Sequence, residues 1–446
     1  MMTWNHRALQ LLKSDTFLSL LGNGGSAGLN FLMFSLLARW LPRAEMGSWV
    51  FLLSIYSLFD AIRRGLVFNA YIQQAAATKT DPDLRRWSGA AWQVNLGITV
   101  LGGIMVVLAA VLSNTMGWMS IDAWSGGWVL ASALVSVPAN MASWILLARS
   151  RFAALQLHKM INPAIYLLLI GALYLTDQLT FYSVGLANLA AGALLSVGCL
   201  LARWCSLGEI KAGSASERKH LYDYGKYSIG TLVSVNLLRN SDIFLIRMVL
   251  GNEAVALYSI PQRLIQLIEI PLRSIVVTSI PGIIRLFHHG SANALSGLIV
   301  RKMGVLWLGM LPLCLLGVLL AEPIVYVLAG EQYGDAVILV QIFMIYGALM
   351  PLDRYIGVTL DAIGKPQANF YKVLLMLVVN ILGDCLGLWW FGSPVAVAGV
   401  SILTFASGIW LGFSLMNRNI PVSWSLVWSE GISEVRLGLA RVLAKA

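Results

Sequence analysis

The chain has 446 residues, of which 58% are hydrophobic and only 12% charged, and its mean hydropathy is +0.76. Apolar runs of about 20 residues recur from end to end, which excludes a soluble enzyme and describes a polytopic helical membrane protein. The net charge of +10 sits mainly in loops, where anionic lipid at the inner leaflet accounts for it and no nucleic acid is required. Cys199, Cys205, Cys314 and Cys385 lack metal-ligand or CxxC spacing, so redox chemistry is not indicated.

In chain order, twelve spans are predicted at 17–38, 47–71, 89–112, 127–148, 161–176, 181–202, 227–250, 255–284, 303–320, 337–360, 372–391 and 395–416. The first follows His6, Arg7 and Lys13 and is longer than a signal-peptide core, so it reads as an uncleaved helix. Loops and tails on one side carry 22 of the 31 Lys and Arg residues, against Arg39 and Arg43 on the other, which predicts both termini inside. The fold class expected is an all-α membrane protein with twelve transmembrane helices in two six-helix lobes, residues 1–202 and 227–416. The polar stretch 203–226 reads as a cytoplasmic linker that tolerates insertion. The tail 417–446, with Trp424 and Trp428 ahead of late basic residues, reads as a cytoplasmic amphipathic helix at the interface.

The lobes look like repeats. A shift of 209 residues lays "LPRAEMGSWV" (41–50) on "LGNEAVALYS" (250–259) and carries Asp60 onto Glu269 and Arg64 onto Arg273. Transporters built from duplicated bundles place binding residues at the repeat interface near the midplane. A central cavity is therefore expected.

Seven arginines are assigned to spans, namely Arg63, Arg64, Arg239, Arg247, Arg263, Arg273 and Arg354, and no lysine joins them. Six acids accompany them: Asp60, Asp242, Glu269, Asp353, Asp361 and Asp384. A central arginine costs about 3 kcal/mol on insertion scales, so these groups must face protein, water or an anionic ligand. Internal pairing is one reading for Asp60 with Arg64 and Glu269 with Arg273, which have the favourable acid-first i,i+4 spacing. Arg247 is close enough to the outer end of its helix to snorkel. Arg63, Arg239, Arg263 and Arg354 have no such excuse. The selection of arginine suggests a ligand carrying phosphate, because a guanidinium fork matches phosphate oxygens bidentately and keeps its proton.

The segments "LLARWLPRAEMGSWVFLLSIYSLFDAIRRGL", "NLLRNSDIFLIRMVLGNEAVALYSIPQRLIQLIEIPLRSIVVTSIPGIIRLF" and "DAIGKPQANF" resemble the polysaccharide-transporter branch of the multidrug/oligosaccharidyl-lipid/polysaccharide (MOP) exporter superfamily, related to the lipid II flippases. The resemblance covers essentially the whole chain. It implies a flippase in the bacterial inner membrane that moves undecaprenyl-diphosphate-linked oligosaccharide to the periplasmic leaflet by alternating access. Arg63, Arg64, Arg239, Arg273 and Arg354, with Asp60 and Glu269, would then form the diphosphate site. Membrane lipids and the polysaccharide polymerase machinery are the other partners expected. The eighth span also carries Pro261, Pro271 and Pro281, each able to bend it.

Asp242, Asn380, Asp384 and Thr404 fall at similar depth below the outer ends of spans 7, 11 and 12. Asn380 and Asp384 share a helix face, and carboxylate, amide and hydroxyl oxygens suit a hard cation. The set resembles the sodium site of the lipid II flippases, and by that resemblance Val400 would add a backbone oxygen. Sodium or a proton would be the coupling ion, and no other cofactor is expected. A competing reading neutralises Asp242 with Arg239, three residues away.

Two further functions compete. A cation-coupled drug exporter of the same fold would need an acidic or apolar cavity, against seven span arginines here. A membrane polymerase or ligase would need a large external loop, and no nucleotide loop, zinc motif or nucleophile triad marks an enzyme.

Overall fold

The computed structural model describes residues 15–443 apart from Lys79, residues 117–121 and Gly290. His6, Arg7, Lys13 and the end of the tail, 444–446, lie outside the described residues. The chain divides into two compact units, Met1–Asn236 and Leu237–Ala446.

In the first unit, α1 (Asp15–Trp40) ends at a Leu41–Pro42 turn, and α2 (Arg43–Arg63) continues through a π-helical turn (Arg64–Phe68) into α3 (Asn69–Ala77). Four helices follow: α4 (Asp81–Thr115), α5 (Ala123–Ala148), α6 (Phe152–Leu175) and α7 (Phe181–Leu201). Thr180 and Ser183 close a reciprocal capping box at the start of α7. A short 3-10 helix (Leu207–Ala212) precedes α8 (Ala215–Val249), which belongs to this unit as far as Asn236 and to the other from Leu237. The core gathers Val67 and Tyr71 from the α2–α3 region, Trp92 from α4 and Met141 and Trp144 from α5.

The π-helical turn has a packing reason. A Cβ at Gly65 would come within 2.9 Å of Ile229 Cα, and one at Gly225 within 2.7 Å of Leu66 Cα, so the backbones of the turn and α8 touch. Asn69 Nδ2 donates to Ser228 Oγ at 2.7 Å and Asn236 Nδ2 to Ser57 Oγ at 2.9 Å along the same seam.

The second unit holds α9 (Asn252–Val277), α10 (Ile280–His288), α11 (Ala292–Leu319), α12 (Ala321–Ala329), α13 (Ala336–Gly347), α14 (Met350–Ala362), α15 (Pro366–Phe391), α16 (Pro394–Asn417) and α17 (Trp424–Leu443). Pro261 and Pro271 sit inside α9. The chain breaks instead at Thr278–Ser279, and Pro281 falls in the first turn of α10, where its missing N–H costs nothing.

Helical stretches run through the predicted positions, with breaks at Thr278–Ser279 and Ala348–Leu349 inside two of them. Ten of the described helical stretches are long and apolar enough to cross a membrane. The α1 helix, which contains the run "GNGGSAG", and the α2–α3 stretch, which carries Asp60, Arg63 and Arg64 at its middle, are not among these ten. The tail is helical, and it packs on α11: Val427 is buried, Trp307 meets Trp424 and Trp428 edge-on, and Arg301 pairs with Glu434 at 3.1 Å. Gly304 and Gly431 permit the crossing, since a Cβ on Gly304 would come within 2.8 Å of Gly431 Cα.

The stretch 203–226 is bound to the first unit along its length. Trp92 Nε1 donates to Cys205 O at 2.8 Å, Gln93 Nε2 to Ile210 O at 2.7 Å, and Arg149 meets Glu209 at 2.9 Å. At the start of α8, Ser214 donates to the Glu217 carboxylate and holds it below the usual range. The division between units falls inside α8, after Asn236, rather than in this polar stretch. A two-residue Gly-Ser insertion after Glu209 should therefore lower the midpoint of thermal unfolding by a few degrees, because it displaces Ile210 from Gln93. An unchanged midpoint would show that these contacts contribute nothing.

Candidate functional site

In the first unit the charges centre on Asp60. Its Oδ1 takes Arg63 Nη2 at 2.5 Å and its Oδ2 takes Arg64 Nε at 2.8 Å. The two arginines differ in surroundings. Arg63 is fully buried, and its Nη1 donates to Ala133 O at 3.2 Å and Ser136 Oγ at 3.1 Å on α5, where Tyr56 also donates to Ser136. The Arg64 side chain is 51% exposed. The Arg63 guanidinium is enclosed and committed to Asp60 and α5, and Arg64 alone of the pair presents charge outward.

In the second unit the centre is Glu269 of α9, whose side chain is 9% exposed. Arg273 Nη2 donates to its Oε1 at 2.8 Å, Arg239 Nη2 lies 3.4 Å from the same oxygen, and Arg354 Nη2 also donates to it. Three predicted site arginines, drawn from α8, α9 and α14, thus converge on one predicted site acid. All three retain exposed surface, 43% for Arg239, 59% for Arg273 and 34% for Arg354. The i,i+4 pairing of acid and arginine occurs in both units, Asp60 with Arg64 and Glu269 with Arg273, as the 209-residue shift predicts. Arg263 is used locally, donating to Gln266 Oε1 at 3.0 Å.

A second buried cluster lies in this unit. Tyr258 donates to Asp242 Oδ2, Ser241 Oγ donates to Asn380 Oδ1 at 3.1 Å, and Asn380 Nδ2 donates to Asp384 Oδ2 at 3.0 Å. The Asp242 and Asp384 carboxyls lie within hydrogen-bonding reach of each other. Asp384 Oδ1 and Thr404 Oγ1 are buried and meet no donor or acceptor of the chain. Val400 packs on Gly383 and Met376 on Gly408, a register that sets Thr404 level with Asn380. The competing pairing of Asp242 with Arg239 is not found, because Arg239 turns to Glu269 instead. Among the described residues, no group of three or more His, Cys, Asp or Glu side chains could hold a metal ion. The set here is two carboxylates with neutral oxygens.

Sequence reasoning missed Tyr258 and Ser241, although Tyr258 matches Trp49 under the same shift, and both are buried. The predicted span 372–391 begins at Lys372, yet no lysine was counted among the charges of the spans. Lys372 is buried inside α15 and pairs with Asp353 at 2.6 Å, so the absence of lysine from the spans is corrected. Its position seven residues into α15 lies too deep for a free ammonium, which draws it to the nearest carboxylate.

The model of polysaccharide biosynthesis proteins matches residues 12–287. The chain belongs to the polysaccharide biosynthesis protein family. Among solved structures it is similar to the lipid II flippase MurJ in an inward closed conformation, with a TM-score of 0.71 at 11% identity over 96% of this chain and 93% of that one. An inward-facing multidrug resistance MATE family transporter of the MOP superfamily gives 0.69 at 13% identity, covering 94% and 95%. A MOP superfamily transporter from Pyrococcus furiosus, described as having a binding pocket of reverse polarity, gives 0.58 at 14% identity, covering 96% and 97%. No curated protein matches the chain by sequence. This family member is thus a multi-pass membrane protein with the MOP fold.

The two arginines held by Asp60 should separate by stability. Arg63→Ala leaves buried acceptors unanswered and should cost about 3 kcal/mol, whereas half-exposed Arg64→Ala should cost less than about 1 kcal/mol. Thermal unfolding in detergent measures both, and equal losses would contradict the assignment.

Proposed function

We propose that this protein is a flippase that carries an undecaprenyl-diphosphate-linked oligosaccharide from the cytoplasmic to the periplasmic leaflet of the bacterial inner membrane by alternating access. The reading rests on one observation above all: Arg239, Arg273 and Arg354 share a single carboxylate, Glu269. Three guanidiniums and one acid leave a local formal charge of +2. Each guanidinium has five N–H donors, and Glu269 engages only some of them. A diphosphate supplies the charge and the paired oxygens that the remaining donors match. Arg64 offers a further exposed guanidinium in the first unit.

The family membership supports a cargo belonging to polysaccharide biosynthesis, and the likeness to a lipid II flippase supports a lipid-linked one. An exporter of cationic drugs is disfavoured by the same local charge, which repels such cargo. Catalysis is not part of the proposal.

The cluster of Asp242 and Asp384 suits the coupling ion. Two buried carboxyls within reach of each other do not both stay ionised without a proton or a cation between them. The unanswered oxygens of Asp384 and Thr404, with those of Asn380 and Asp242, fit a hard monovalent cation, and Val400 stands one turn from Thr404. Such an ion would favour whichever conformation binds it better, without touching the diphosphate.

Two outcomes follow. Arg239→Ala, Arg273→Ala and Arg354→Ala should each abolish surface polysaccharide in a complementation assay at normal protein level; full activity in all three would remove the substrate reading. Sodium should raise the unfolding midpoint of the wild type but not of Asp384→Asn. A transport rate that ignores sodium and follows pH would assign the cluster to the proton.

A further inference from the structure

Arg354 reaches the cluster from α14, and the residue before it is held from the other side. Asp353 is buried, and Lys372 Nζ of α15 donates to its Oδ1 at 2.6 Å and to its backbone carbonyl at 3.2 Å. Lys372 is 2% exposed. Space for it is provided by glycine: a Cβ on Gly412 would come within 3.0 Å of Lys372 Cδ, and one on Gly357 within 3.4 Å of Nζ. Successive helical residues diverge by roughly 100°. Asp353 therefore faces α15 while Arg354 faces Glu269 of α9.

We propose that Lys372 is a positioning residue, whose ion pair with Asp353 sets the rotation of α14 and thereby aims Arg354 at Glu269 and at the phosphate of the cargo. The inference rests on the reading of the Glu269 cluster as the diphosphate site. Lys372 itself is enclosed and touches no ligand. A rotation of α14 by about 20° would sweep a guanidinium about 7 Å from the helix axis through roughly 2 Å, enough to break its hydrogen bond to Glu269. Apolar packing between α14 and α15 would hold the helices together but tolerate such a rotation. The double contact of one ammonium with both the side chain and the carbonyl of Asp353 does not. This is the use of a buried ion pair that survives the argument from desolvation, which otherwise favours an apolar replacement.

The test is binding of a soluble isoprenyl diphosphate, geranyl diphosphate, to the purified full-length protein in detergent. Arg354→Ala should weaken binding about tenfold. Replacing the pair together, Lys372→Met with Asp353→Leu, leaves no buried charge unanswered and should weaken it about fivefold at an unchanged unfolding midpoint. Adding Arg354→Ala to that pair should cause no loss beyond that of Arg354→Ala alone, because the pair acts through Arg354. If the apolar pair does not fold, the smaller apolar pair Lys372→Leu with Asp353→Ala, which likewise leaves no buried charge and no hydrogen bond between α14 and α15, takes its place. Wild-type affinity in the pair variant, beside a weakened Arg354→Ala, overturns the positioning role alone. Additive losses in the combined variant also overturn it. Wild-type affinity in Arg354→Ala overturns the diphosphate site, and the inference with it.

Discussion

Glu269 accepts from three guanidinium groups, and in low-dielectric surroundings that sharing is the constraint on which the midspan of the second unit depends. No arginine of the three could sit at that depth unanswered, and one carboxylate cannot neutralise them all. The remainder is a stored positive charge, exposed on the arginines and anchored on a buried acid. Asp60 in the first unit follows the same logic with a different outcome. Of its two arginines, one is consumed in tying α2 to α5 and one is left outward.

Every acid assigned to a span finds an answer within its own unit, and the answers differ in kind. Asp60 and Glu269 take guanidiniums, Asp353 takes an ammonium, Asp361 takes both donors' worth of Asn369, and Asp242 and Asp384 take neutral donors and one another. Arg239 and Asp242 are three residues apart on α8, so one helix serves the cationic cluster and the acidic one. A shift of α8 along its axis would be felt in both. That shared helix is also the element that passes from the first unit to the second.

Much of this was legible in sequence because hydropathy and charge act locally. The positions of the helices follow from apolar runs and turn residues, and the i,i+4 pairs follow from helix geometry alone. What the sequence could not decide is which of two adjacent arginines turns inward. Arg63 and Arg64 differ by about 100° around one helix, and only the carbonyl of Ala133 and the hydroxyl of Ser136 on α5 select Arg63 for burial. Lys372 was hidden for the same reason, since its partner Asp353 lies on another helix. The polar stretch 203–226 looked free because its side chains are polar. It is held by backbone carbonyls accepting from Trp92 and Gln93, which composition does not reveal.

If the stored charge is there for a diphosphate, affinity must follow the phosphate and not the lipid. The most direct measurement titrates the purified wild-type protein with undecaprenyl diphosphate, undecaprenyl phosphate and undecaprenol at several salt concentrations. The account predicts that affinity falls in that order and that the diphosphate weakens as salt rises, because exposed guanidiniums contribute through screened attraction. Equal affinity for all three lipids, unaffected by salt, would contradict it.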